Sequence, residues 1–169
     1  RTTKSLWHLL LKAKEQTEVN MTACRKPLIL LGVCGGIAAY KAVDVASLLL
    51  KRGFDVRVVM TESATHFITP TTFQAVLGKP VITSMFSSPQ ASEKNEIYPH
   101  LYPAQEADMF VLLPATADML AQITTGAAGN VVSGSVLGLR QDCKKIFCPA
   151  MNTHMWQQLV VKDNVQALL

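Results

Sequence analysis

Short runs of nearly unbroken apolar residues recur along the chain, each followed by a longer stretch in which apolar positions return every three or four residues. The runs lie in "PLILLGVCGG", "DVRVVMTESA", "ADMFVLLPAT" and "KKIFCPAMN"; the stretches after them are "IAAYKAVDVASLLLKRG", "THFITPTTFQAVLG", "ADMLAQITTGAAGNVVSGSVLG" and the residues after Asn152. A strand such as Met109-Phe110-Val111-Leu112-Leu113 has no polar face, which is what a parallel sheet covered on both sides requires. The alternation of strand and helix predicts a doubly wound α/β fold, a Rossmann-like parallel sheet in a single domain over residues 27–169. Residues 1–26 read differently. Leu6, Leu9, Leu10 and Ala13 keep a helical spacing and a polar linker follows, so an amphipathic extension outside the core is expected there.

In a sheet of this kind ligands bind beyond the carboxyl ends of the strands. The turns "GVCGG", "MTESA", "PATAD" and "PAMN" all fall at those ends. Gly32, Gly35 and Gly36 separate the first strand from the first helix, where exposed amides and the positive helix end suit a phosphate, although glycines also serve simply to make tight turns. Their GxxGG spacing differs from the dinucleotide fingerprint and points to a mononucleotide phosphate. Thr61 and Ser63 offer two hydroxyls to phosphate or ribityl oxygens, and are equally suited to capping a helix. Thr116 and Asp118 read the same two ways, as the polar rim around a flat ring or as a strand stop and N-cap. His100 stands among prolines just before the third apolar run. In "CPAMNTHMW", Asn152 can cap a helix or donate its amide to a carboxylate without adding charge, while Met155 and Trp156 pack that helix's first turn or serve a subunit contact.

Composition narrows the class. A chain of 169 residues, 49% hydrophobic and 17% charged, can bury roughly two thirds of its unfolded surface in one core. The net charge of +4 comes from scattered Lys and Arg, which indicates no nucleic-acid role and suits a small anionic ligand. Cys24, Cys34, Cys143 and Cys148 form no CxxC pair and no metal-ligand spacing, so they read as reduced thiols of a cytoplasmic protein. No secretory signal pattern and no membrane-length apolar segment occurs in the sequence.

"LLGVCGGIAAYK", "VVMTESA", "TPTTFQAV", His100, "PATAD", "GAAGNVVS" and "PAMNTHMW" follow one another as in the flavin-dependent cysteine decarboxylases, and from about Pro27 to its end the chain resembles that family. The resemblance implies a flavoprotein fold with FMN as cofactor. It sets phosphate and ribityl contacts at Gly35, Gly36, Ile37, Thr61 and Ser63, and further flavin contacts at Thr116, Ala117, Asp118, Met119 and Ala150. It makes His100 the active-site histidine and Asn152 the residue that holds the substrate carboxylate. The implied reaction is oxidation of a cysteine moiety to a thioaldehyde and loss of carbon dioxide to an ene-thiolate. Its substrate is phosphopantothenoylcysteine, or a similar cysteine-terminated acid, and its place is coenzyme A synthesis. A homotrimer, or a multiple of trimers, is implied as well.

Two departures qualify that expectation. The family's lid, with a cysteine in an Ala-Cys-Gly context, is not met between Asn152 and Leu169, so a chain without it is expected to stall after oxidative decarboxylation or to hold substrate poorly. Gly129 stands where the family usually has aspartate. Other readings are an FMN-binding subunit without catalysis of its own and a relative of the flavin prenyltransferases or flavin reductases, against which "PAMNTHMW" together with His100 speaks.

Overall fold

The structure, a computed structural model, describes residues 25–86 and 100–169; the helix expected around Leu6–Ala13 lies outside them. β1 (Leu28–Val33) is buried at every position, as its unbroken apolar run demands. It pairs with β2 (Asp55–Met60), and β2 pairs in turn with a two-residue edge strand, β3 (Val81–Ile82). On its other side β1 pairs with β4 (Met109–Ala115), which is flanked by β5 (Lys144–Pro149). All pairings are parallel and the order is β3-β2-β1-β4-β5, so the four longer strands carry their carboxyl ends to one edge.

Successive side chains of a strand point to opposite faces, and here they feed two separate cores. Ile29, Leu31, Val33, Val56, Val58 and Met60 meet a helix α1 (Tyr40–Lys51), entered through a 3-10 turn at Ile37–Ala39. Beyond β2 come a single turn, α2 (Glu62–Thr65), and α3 (Pro70–Leu77), whose Phe73 and Leu77 complete that core. Leu30, Val59, Phe110 and Leu112 face the other way. There they pack against α4 (Leu101–Glu106), α5 (Ala117–Thr125) and α6 (Val131–Leu137). Two last helices, α7 (Thr153–Gln157) and α8 (Leu159–Ala167), follow β5.

The doubly wound architecture is as expected, with three local differences. β3 is too short to show any periodicity and exists through its pairing with Val58 and Val59. α4 forms across Pro103, which sits in the first helical turn, where backbone N–H groups lack intrahelical acceptors and a proline loses nothing. The stretch after β4 divides at Gly126, whose φ of 71° is left-handed and ends α5.

Asp108 ties the opposite edge together. Its carboxylate accepts the Leu28 amide at 2.7 Å and both guanidinium nitrogens of Arg25 at 2.8 and 3.0 Å, joining the amino ends of β1 and β4. The carboxyl edge is left to the four turns.

Candidate functional site

Backbone geometry brings the turns into one arc. The Thr61 amide donates to the Val33 carbonyl at 3.0 Å, joining the ends of β1 and β2, and the Ala150 amide donates to Ala115 at 3.1 Å, joining β4 and β5. Gly35 lies so close to α2 that a Cβ on it would meet Ser63 Cβ and Oγ at 2.6 Å. Only glycine allows that approach. Gly36 bridges to the third turn, its own Cβ position being 3.7 Å from Pro114 Cγ and 3.8 Å from Thr116 Cγ2. Ser63, Gly35, Gly36, Thr116, Ala150 and Asn152 therefore follow one another along a single rim.

Capping chemistry accounts for much of this order. Thr61 caps α2, its Oγ1 accepting the Ala64 amide at 3.2 Å and pairing with Ser63 Oγ at 3.0 Å. Thr116 caps α5 by accepting the Met119 amide at 3.2 Å. Of the first hydroxyl pair, Thr61 is buried and Ser63 is exposed at the rim. Ile37 presents its side chain to the outside beside the glycines, while the Met119 side chain is spent in the core. Ala117 is half-buried, and the exposed Asp118 carboxylate accepts from the Gln122 amide at 2.8 Å.

Asn152 takes up the capping reading. Its Oδ1 accepts the His154 amide at 2.8 Å and caps α7, and its Nδ2 has no hydrogen-bond partner among the described residues. One oxygen serves the helix and the two N–H groups are left open. Met155 and Trp156 do not pack the first turn of α7 into this chain: they are 46% and 42% exposed, and no residue of α7 is buried.

His100 occupies the N-cap position of α4 without a side-chain cap bond, is buried, and its Nδ1 lies 3.1 Å from the Met85 carbonyl. Burial lowers its pKa, against a smaller upward pull from that carbonyl, so the neutral ring is favoured. The structure brings His100 against α6 and Met85.

Sequence reasoning assigned no role to Asn130, which closes a capping box on α6. Its Oδ1 accepts the Val132 and Ser133 amides, and Ser133 Oγ takes the Asn130 amide at 3.2 Å. The Asn-x-x-Ser spacing carried that signal. Asn130 Nδ2 also donates to Gln122 Oε1 at 2.7 Å, which links α6 to α5. Gly129 is exposed, and a Cβ there would meet only Gln122 Oε1 at 3.8 Å, so the packing does not demand glycine.

Burial holds the described thiols in their protonated form. Cys34 lies just under the rim, where burial pushes its pKa up to about 12 despite opposing hydrogen bonds from Thr116, and burial raises Cys148 to about 11. Cys143 is raised by the same cause. Among the described residues no cluster of His, Cys, Asp and Glu is arranged to hold a metal, and no helix is long and apolar enough to cross a membrane.

The flavoprotein family profile matches residues 17–169. A Mycobacterium tuberculosis protein named coenzyme A biosynthesis bifunctional protein CoaBC is 41% identical over 140 residues, 83% of this chain and 32% of its own length. The chain thus spans about a third of that relative. A probable phosphopantothenoylcysteine decarboxylase of Streptococcus mutans is 39% identical over 140 residues, 83% of this chain and 76% of its own. Among solved structures, the FMN-dependent cysteine decarboxylase SpaF superposes with a TM-score of 0.76 at 31% identity, covering 86% of this chain and 81% of its own. A PPC decarboxylase mutant complexed with pantothenoylaminoethenethiol gives 0.70 at 25%, covering 85% and 78%.

Proposed function

This chain belongs to the flavoprotein family, and from that premise we propose that it binds FMN and decarboxylates phosphopantothenoylcysteine to phosphopantetheine in coenzyme A synthesis. The observation that carries the reading is the continuous rim from Ser63 through Gly35, Gly36 and Thr116 to Asn152. Its donors suit the cofactor: an exposed hydroxyl at Ser63, backbone amides at Gly35, Gly36 and Ile37, and the amino end of α1, all beside space that side chains at the glycines would narrow.

Bound FMN would supply the oxidation of the cysteine moiety that makes loss of carbon dioxide feasible. Residues 27–169 serve as the flavin domain. Gly35, Gly36, Ile37, Thr61 and Ser63 hold the phosphate and ribityl chain, while Thr116, Ala117, Asp118, Met119 and Ala150 border the ring, Met119 through its backbone. Asn152 orients the substrate carboxylate through Nδ2, a neutral donor that does not trap the anion once decarboxylation begins. His100, neutral in its buried seat, accepts or orients a substrate proton. The apolar surface of Met155, Trp156, Leu159 and Val160 on α7 and α8 suits assembly into a cytoplasmic homotrimer.

A second reading is an FMN-binding subunit without catalysis of its own, which the cofactor donors of the rim fit equally well. An absorption spectrum of the purified protein, with acid release and identification of the chromophore, tests the shared premise; carbon dioxide release from phosphopantothenoylcysteine then separates the two. A colourless protein that refuses added FMN overturns both.

A further inference from the structure

The surroundings of His100 form a built seat that neither the glycine turn nor the Asn152 motif explains. The Met85 carbonyl can only accept a hydrogen bond, so the contact at 3.1 Å puts the imidazole proton on Nδ1 and leaves Nε2 as the free acceptor. The other edge of the ring lies on α6. A Cβ on Gly134 would stand 3.4 Å from His100 Cδ2, 3.6 Å from Nε2 and 3.5 Å from Met85 Sδ. The neighbouring Ser135 Oγ donates to the Val131 carbonyl at 2.7 Å and reaches the His100 carbonyl at 3.3 Å, so α6 grips the backbone of His100 as well as its ring. Helix α6 is itself fixed by the Asn130 capping box and, through Gln122, by α5 at the flavin rim.

We propose that position 134 is a positioning site for His100: with no side chain reaching beyond a Cβ, Gly134 lets the imidazole rest on α6 with the proton held on Nδ1 by Met85 and the Nε2 lone pair kept open. The proposal rests on the role given to His100 above and names the device that orients it.

The test is the nitrogen-15 spectrum of His100 in the full chain, assigned with a His100→Gln control, together with turnover of Gly134→Ala and Gly134→Leu. In the parent, Nε2 is expected to carry the unprotonated shift and Nδ1 the protonated one. Alanine adds a carbon at ordinary contact distance, so as the conservative variant it should keep the signature and retain FMN. Leucine fills the ring's place. It should abolish the signature while FMN is retained, with kcat falling on the order of a hundredfold and KM little changed. A parent spectrum with the proton on Nε2 overturns the proposal. So does a folded leucine variant with the parent's signature and kcat, or an alanine variant that loses the signature. Should the leucine variant not fold, the parent and alanine spectra decide alone. The spectrum needs neither cofactor nor substrate, so the expected tautomer in a chain that releases no carbon dioxide would count against the decarboxylase reading and leave the seat of His100 intact.

Discussion

Adding one methyl group at Gly35 tests whether the first two turns of the rim touch as described. The new Cβ would lie 2.6 Å from Ser63 Cβ and Oγ and 2.8 Å from the Ser63 carbonyl carbon, where ordinary contact begins near 3.4 Å, so α2 and the glycine turn must part by about 0.8 Å. No rotamer relieves this, because the opposing atoms are backbone and the root of a side chain. The movement also pulls on the bond between the Thr61 amide and the Val33 carbonyl. Overpacking of this kind costs about 1–3 kcal/mol, and each kcal/mol lowers Tm by about 2–4 °C in a domain of this size. The assay is thermal unfolding followed by circular dichroism on flavin-free protein, since a bound ligand adds its own stabilisation, with FMN retention measured separately. Gly35→Ala should melt lower and release its flavin. Gly36→Ala is the control. Its φ of −170° is extended and its Cβ would meet nothing closer than 3.7 Å, so stability should stay within about 0.5 kcal/mol of the parent. A Gly35→Ala protein that melts with the parent and stays yellow, or two glycines that prove equally sensitive, would refute the contact.

Asn130→Ala removes a cap that serves two amides and a partner of Gln122, and should cost about 1–2 kcal/mol by urea unfolding; a change below about 0.3 kcal/mol would mean that the cap is idle. Cys34 gives a pH signature. Its pKa is raised from 9.0 to about 12, so the stability it contributes is fully present below pH 9 and is lost as pH rises toward 12, at about 1.4 kcal/mol per unit. Between about pH 8 and pH 10, Cys34→Ala should therefore lose about 1.4 kcal/mol less than the parent; parallel losses would place the thiol in water. Asn152→Asp keeps an oxygen for the His154 amide, so Tm and FMN content should hold while the added charge repels the substrate acid and turnover disappears. Undiminished carbon dioxide release from that variant would remove Asn152 from the site.

What the sequence settled is local. Thr61, Thr116 and Asn152 each bond an amide two or three residues ahead, so residue type and spacing already specify where α2, α5 and α7 begin. The unbroken apolar runs likewise specified a sheet buried on both faces, because no assignment of alternate residues left a polar side. Those two rules yield the strands, the helices and the edge at which the turns gather. Everything that depends on segments remote in the chain waited for the tertiary structure. β3 exists only through its partner β2, and Gly35 is obligatory only because Ser63 arrives against it. His100 gains its neutral ring from burial, against the smaller pull of the Met85 carbonyl, and that carbonyl fixes the proton on Nδ1; neither influence carries a side-chain signal in the sequence. Met155 and Trp156 read in the sequence as packing their helix's first turn or serving a subunit contact, and the fold, which leaves them exposed, removes the first. Capping and periodicity act over one turn of chain and are written in residue types; close approach, desolvation and tautomer are set by which distant atoms share a space, and only the folded chain brings those atoms together.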